Sequence, residues 1–159
     1  MLFRSIGDPY DLENKIPEFR KEHPGYYDSN VQAWHSSFFT FQETRIFDDC
    51  LDSLITLCDK TIGDYYKCSL KHNCTNMWVM EYEENDYANN HCHYPADWSV
   101  VYYINVDKDS APIILEDEVE IQPEPGLLLI FPGVIYHKVP ATKSFRRLMS
   151  MNLEKNIEH

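Results

Sequence analysis

The chain has 159 residues, of which 43% are hydrophobic and 14% aromatic, and its formal net charge is −12 at pH 7. That composition is typical of a folded globular protein, and the length predicts a single domain over 1–159. The negative charge argues against a protein that binds nucleic acid or an anionic membrane, since both require a basic surface. A small anionic ligand stays compatible with it, provided that a fixed cation lies inside the site.

Five cysteines occur without the Cys-x-x-Cys spacing of zinc or redox motifs, and their number is odd. We therefore expect a reduced protein with free thiols in the cytoplasm, or in the host cytoplasm if the chain is viral, although a Cys58–Cys68 disulfide stays open. We expect no secretory leader, because the first residues lack the apolar core of one, and no apolar run reaches the length of a membrane span.

The first third of the chain is polar and rich in turn-forming residues, and it predicts irregular structure before a first strand in VQAWHSSFFTF, 31–41. Apolar residues then recur at helical spacing from Ile46 to Cys58, and Gly63 follows as a stop. This second segment predicts one amphipathic helix.

Beyond the helix the pattern is that of short strands. They are expected at 76–82, 98–106, 112–117, 119–123, 126–131 and 146–153. Many short strands at near-even spacing after a helix favour a two-sheet sandwich or a small barrel over alternating βα units. We expect a mostly β fold with helical support on one face.

Three histidines lie close to the ends of these strands. His91 and His93 stand one residue apart before the strand at 98–106, and His137 follows the strand at 126–131. Two imidazoles so close together share a metal, bind a ligand or face water. Arg146 follows His137 and opens the last expected strand.

Alternation predicts which side chains share a face of the last two long strands. A regular last strand places Arg146, Leu148, Ser150 and Asn152 on one face, and Arg147 on the other. A regular strand over 98–106 turns Val101, Tyr103 and Asn105 inward.

These segments resemble the Fe(II)- and 2-oxoglutarate-dependent oxygenases, most of all the small bacterial and phage-type members and, more distantly, the prolyl hydroxylases. The resemblance covers a catalytic core at about 76–153. Its elements are HCH at 91–93, WSVVYYIN at 98–105, PGLLLIFPGVIYH at 125–137 and RRLMSMN at 146–152. It implies a double-stranded β-helix, which is a jelly roll of the cupin type.

The resemblance also implies a metal site. His91 and His137 match the two histidine ligands of Fe(II), while His93 stands where the family usually has an aspartate. A site of three histidines, a site completed by Asp97 and a degenerate or absent site all stay open. A neutral imidazole in place of a carboxylate leaves the metal one charge more positive and weakens the attraction for it.

The co-substrate of such enzymes, 2-oxoglutarate, is a dianion. By resemblance Arg146 binds its distal carboxylate, with Tyr103 and Ser150 as hydroxyl partners and Arg147 as the alternative cation. The implied activity is hydroxylation of a small-molecule or peptidyl substrate with release of succinate and CO₂. The alternative is a non-catalytic, cupin-like module that binds a metal or a small carboxylate, and a structural or virion-associated role is a third interpretation.

Overall fold

The computed structural model describes residues 2–26 and 30–157. The helices of this part are α1 (Leu12–Glu22), α2 (Thr40–Glu43) and α3 (Asp48–Tyr66). Its strands are β1 (Leu2–Ser5), β2 (Val31–Gln32), β3 (Trp34–His35), β4 (His72–Tyr82), β5 (Tyr87–His91), β6 (Trp98–Val106), β7 (Ile113–Leu115), β8 (Val119–Ile121), β9 (Leu127–Pro132), β10 (His137–Val139) and β11 (Arg146–Lys155).

Two antiparallel sheets pack face to face. The six-stranded sheet has the order β1-β9-β6-β11-β4-β3, and the five-stranded sheet has the order β2-β5-β10-β7-β8. The predicted mostly β jelly roll with helical support is confirmed. Within the described ranges no helix combines the length and the apolar character needed to cross a membrane. All five cysteines are free, so Cys58 and Cys68 are not joined.

The six-stranded sheet separates two apolar cores. Side chains on one face, such as Val79, Tyr102 and Met149, pack against α1 and α3. Side chains on the other face, such as Tyr103 and Leu148, pack against the five-stranded sheet. Successive residues of a strand point to opposite faces, so each long central strand contributes to both cores.

α3 continues past the predicted stop at Gly63, so that prediction is wrong. The helix ends at Tyr66, and the left-handed conformation of the C-cap Lys67 (φ 56°) lets the amide of Cys68 donate to the Gly63 carbonyl at 3.0 Å. A Cβ atom at position 63 would lie 2.6 Å from the Cys68 carbonyl oxygen. The glycine therefore permits the close return of the chain rather than ending the helix.

α1 forms in a stretch whose sequence pattern predicts irregular structure. The Asp8 carboxylate accepts hydrogen bonds from the amides of Leu12 at 3.1 Å and Glu13 at 3.0 Å, which satisfies the first turn. Pro17 lies inside the helix and has no N–H to donate to the Glu13 carbonyl. Arg147 of β11 donates to that carbonyl instead, at 3.2 Å. A contact distant in sequence thus compensates for the proline.

The strand predicted over 31–41 is divided between the two sheets. β2 pairs with β5 in the five-stranded sheet, whereas β3 pairs with β4 in the six-stranded sheet. Because the chain crosses between the sheets here, the adjacent residues Trp34 and His35 are both buried and simple alternation fails.

The remaining predicted strands all occur, and β4 and β11 are longer than predicted. β5 and β10 were not predicted as strands, because both are short and polar. They pair with each other in the five-stranded sheet and carry two of the candidate histidines.

Candidate metal centre

Three histidines converge beside the five-stranded sheet. His91 ends β5, His137 begins β10, and the two are direct partners in the antiparallel pairing. His93 lies just after β5, where its amide donates to the Gly133 carbonyl at 2.8 Å. One potential ligand atom of each histidine lies within 4.8 Å of the other two. Metal–imidazole bonds are about 2.1 Å long, so one ion between the rings reaches all three after small adjustments.

Each of the three rings directs its Nδ1 atom at an oxygen acceptor. The acceptors are the Asn89 carbonyl for His91 (2.6 Å), the Ile135 carbonyl for His137 (3.1 Å) and the Asn152 side-chain oxygen for His93 (2.7 Å). A neutral imidazole that donates from Nδ1 keeps an unprotonated Nε2 with a free lone pair. The three rings therefore fit a metal that is bound through Nε2.

Burial keeps two of these imidazoles neutral. Desolvation lowers the pKa of His93 to about 4, and the charge of His91 lowers it as well. The same two causes, in the same order, lower the pKa of His137 to about 3. At neutral pH both rings are unprotonated, as metal ligands must be.

Asp97 lies outside this cluster. It is exposed, and its Oδ2 accepts a hydrogen bond of 2.7 Å from the backbone amide of Lys155 at the end of β11. The cluster that the described residues bring together consists of three imidazoles without a carboxylate.

A cavity of about 330 Å³ opens beside the three histidines. Arg146, Tyr103 and Ser150 line it, together with Leu148 and Asn152. The predicted common face of the last strand is therefore confirmed. The structure brings the candidate metal ligands and the candidate anion-binding residues to one space.

Arg146 is buried in this cavity, and the residues that the structure describes supply no counter-ion for it. Its side chain is only 1% exposed, one terminal N–H group donates to the Ala111 carbonyl at 2.8 Å, and the guanidinium lies 4.2 Å from the centroid of the Tyr82 ring. Its Nε has no hydrogen-bond partner, and no carboxylate of the described residues pairs with it. An unpaired buried cation is costly, so the cavity favours an anion at this end.

Tyr103 of β6 lies next to Arg146 of β11, with 5.9 Å between the guanidinium carbon and the centroid of the tyrosine ring. Burial raises the pKa of Tyr103 to about 12 although the charge of Arg146 lowers it, so the hydroxyl stays protonated. Asn105 does not share this face, and that prediction is wrong. The β6–β11 register shifts between Arg147 and Leu148, and Asn105 accepts a hydrogen bond from Arg147 at 2.6 Å on the helix side.

Arg147, the alternative cation, points away from the cavity. Its guanidinium pairs with the buried carboxylate of Glu81 at 2.9 Å. Arg20 of α1 approaches the same carboxylate at 3.4 Å. These charges hold α1 on the sheet and leave Arg146 as the cavity's cation.

Part of the cavity wall is aromatic. His35, Phe38 and Trp78 line it, and the rings of Phe38 and Trp78 stand nearly perpendicular (87°) at a centroid distance of 5.1 Å. The ring of Trp78 lies 5.6 Å from that of His93. The sequence alone does not indicate that His35 lines the cavity, because the pattern around a single histidine does not show where its side chain lies.

No protein-family model and no curated protein matches the sequence. The fold aligns with a prolyl-4-hydroxylase from Pseudomonas putida at a TM-score of 0.66 and 14% identity, over 98% of this chain and 93% of that one. It aligns with the viral collagen prolyl hydroxylase of Paramecium bursaria Chlorella virus-1, solved as a 2OG complex, at 0.65 and 12%, over 99% and 97%.

A third similar structure is a prolyl hydroxylase from Trichoplax adhaerens, solved with a hypoxia inducible factor peptide fragment. It aligns at a TM-score of 0.64 and 17% identity, over 96% of this chain and 83% of that one. A 2OG-Fe(II) oxygenase family member from Burkholderia pseudomallei aligns over 70% of this chain, and the chain spans 57% of that longer protein. At these identities the comparison shows a shared fold.

Proposed function

We propose that this chain is an Fe(II)- and 2-oxoglutarate-dependent dioxygenase that hydroxylates a peptidyl or small-molecule substrate and releases succinate and CO₂. The observation that carries this proposal is the buried Arg146, which has no carboxylate partner among the described residues and lines the same cavity as His91, His93 and His137. The proposed reaction requires a metal and a dianion side by side, and the fold alone requires neither.

His91, His93 and His137 would hold Fe(II) through their Nε2 atoms. Three protein ligands leave coordination positions open for the co-substrate and for O₂. Bound Fe(II) supplies the O₂ chemistry that couples decarboxylation of 2-oxoglutarate to oxidation of a substrate C–H bond. In the balanced reaction one atom of O₂ enters the hydroxylated product and the other enters succinate.

The chain's own residues bind and orient the dianion. Arg146 offers charge-assisted hydrogen bonds to the distal carboxylate, and the Tyr82 ring beneath it restricts the guanidinium by a cation–π contact. The protonated hydroxyl of Tyr103 donates to the same carboxylate, and Ser150 lies on the same wall. Leu148 and neighbouring apolar side chains of this core exclude water from the reacting atoms.

The Trichoplax structure contains a bound peptide, which supports the peptidyl option. The aromatic part of the cavity wall is compatible with either substrate class, since aromatic rings bind apolar and polar groups alike. We also propose that 1–159 acts as one domain and that it works in the cytoplasm, or in the host cytoplasm if the chain is viral.

Anaerobic titration of Fe(II) into the protein with 2-oxoglutarate tests the site. The visible metal-to-ligand charge-transfer band of the chelate should form, be absent in His137→Ala and weaken in Arg146→Ala. Arg147→Lys is the matched control and should keep the band, because Arg147 points away from the cavity. If the unaltered protein gives no band at any iron concentration, the proposal is refuted.

The second candidate is the non-catalytic, cupin-like module, and the all-imidazole cluster favours it because the usual carboxylate is missing. Succinate formation that depends on 2-oxoglutarate, Fe(II) and O₂ separates the two. A band without succinate under any substrate screened would favour the binding module.

A further inference from the structure

His93 is held differently from the other two histidines of the cluster. His91 and His137 each donate from Nδ1 to a backbone carbonyl two residues earlier in the chain, at 2.6 and 3.1 Å. The Nδ1 of His93 instead meets the side-chain oxygen of Asn152 on β11, at 2.7 Å and 59 positions away in sequence. A backbone carbonyl is present whatever the residue, so only His93 depends on one particular side chain for its orientation.

The amide of Asn152 is itself oriented. Its Nδ2 donates to the Oδ1 atom of Asn76 at 3.2 Å, and the two residues are direct partners in the β4–β11 pairing. The hydroxyl of Thr75 lies 3.5 Å from that Asn76 oxygen and 3.4 Å from the backbone carbonyl oxygen of Asn152. With Nδ2 engaged by Asn76, the oxygen of the Asn152 amide faces His93. The direction of donation therefore runs from His93 to Asn152, and from Asn152 to Asn76.

This direction decides which nitrogen of His93 is free. His93 lies after the end of β5, and the neighbouring rings of His91 and Trp78, at centroid distances of 5.3 and 5.6 Å, restrict its plane but not its tautomer. An acceptor at Nδ1 keeps the proton there and leaves Nε2 with its lone pair. Without that acceptor, the proton moves between the two nitrogens and the ring turns more freely.

We propose that Asn152 is the positioning residue that makes His93 the third metal ligand, and that a carboxylate at position 152 would tighten metal binding. The inference rests on the proposed metal site. A carboxylate partner increases the electron density of the imidazole that donates to it. It also returns to the site the negative charge that a set of three imidazole ligands lacks.

Titration of the metal-free protein with Co(II) alone, followed by its visible d–d absorption, tests the inference without turnover. Asn152→Leu keeps the approximate size and removes the acceptor, and it should weaken Co(II) binding by about 10- to 100-fold and change the d–d spectrum. Asn152→Asp should bind Co(II) more tightly than the unaltered protein. Asn73→Leu on the same β4–β11 pair is the matched control, since Asn73 is exposed and outside the cavity, and its affinity should not change.

A double-mutant cycle shows whether Asn152 acts through His93. In a His93→Ala background, Asn152→Leu should have no further effect on Co(II) affinity. An additional loss would show that Asn152 acts by another route and would overturn the inference, as would equal affinities of Asn152→Leu and the unaltered protein. If the unaltered protein binds no Co(II) at all, the metal site itself fails. Circular dichroism of each variant confirms the fold, and Asn152→Asp keeps the test decisive should Asn152→Leu not fold.

Discussion

His91 and His137 are direct partners across the antiparallel pair of β5 and β10, and their ring centroids lie 4.3 Å apart. Two of the three candidate ligands are thus positioned by the register of a sheet. A slip of that register by one residue would turn one of the rings to the opposite face. The third ring is placed from outside this pair, by β11.

The metal-free protein should lose stability in acid. The pKa values of His93 and His137 fall from 6.5 in the unfolded chain to about 4 and about 3 in the folded protein. Between pH 6.5 and these lower pKa values the unfolded state binds more protons than the folded state. The contribution of the two histidines to stability is therefore complete above about pH 6.5 and is lost as the pH falls toward 4 and 3. Urea unfolding of the metal-free protein at several pH values measures this, and His137→Phe should reduce the slope. If the free energy of unfolding depends on pH equally strongly in His137→Phe and in the unaltered protein, the expectation is contradicted.

Arg146→Met should make the protein more stable and less able to bind 2-oxoglutarate. The substitution removes a buried charge that has no counter-ion in the described part of the chain and keeps an apolar chain of similar length, for a gain of about 1–3 kcal/mol in the free energy of unfolding. Urea denaturation measures the gain, and calorimetric titration of the metal-loaded protein with 2-oxoglutarate measures the loss of affinity. Destabilisation by Arg146→Met would show instead that this arginine supports the fold.

Glu81→Ala should destabilise the protein without removing the candidate site. Its side chain is 5% exposed and pairs with Arg147 and Arg20, so truncation leaves two cations without their buried partner and costs about 3–5 kcal/mol. Asp64→Ala, which breaks an exposed pair with Lys60, should cost less than about 1 kcal/mol. Thermal and urea unfolding compare the two variants, and equal losses would argue against the importance of the Glu81 network.

Gly63→Ala should lower the melting temperature although alanine favours helices. The new methyl group would meet the Cys68 carbonyl oxygen at 2.6 Å, so the chain that leaves α3 must shift, at a cost of about 1–3 kcal/mol. Ser53→Ala on the exposed side of the same helix is the control and should cause no loss. A melting temperature for Gly63→Ala at or above that of the unaltered protein would show that the helix end yields easily.

The local sequence pattern was sufficient to predict strands and their faces where residue type and alternation agree. The strand predicted at 98–106 coincides with β6 because β-branched and aromatic residues fill it, and alternation placed Arg146 and Ser150 on one wall. Alternation failed at Asn105, where a register shift with β11 changes the face. No local pattern indicates such a shift.

Other features depend on contacts between distant parts of the chain. α1 contains Pro17 and needs a hydrogen bond from Arg147, which no window of sequence around the helix reveals. Which of His93 and Asp97 joins the cluster with His91 and His137 also depends on a tertiary contact. Asp97 lies outside the cluster and accepts a hydrogen bond from the backbone amide of Lys155. The sequence brings both residues near His91, and the packing of β11 decides between them.

Alternate side chains of β11 point to opposite faces of the six-stranded sheet, and the two faces have different roles. Met149 and Met151 lie in the core beneath the helices, whereas Leu148, Ser150 and Asn152 face the cavity. Substitutions at the polar positions that face the cavity therefore leave the packing between sheet and helices unchanged. New ligand preferences can arise there while the fold is kept. A library randomised at the polar positions 150 and 152 should return more folded variants with altered binding than the same library at 149 and 151, whose side chains fill the core.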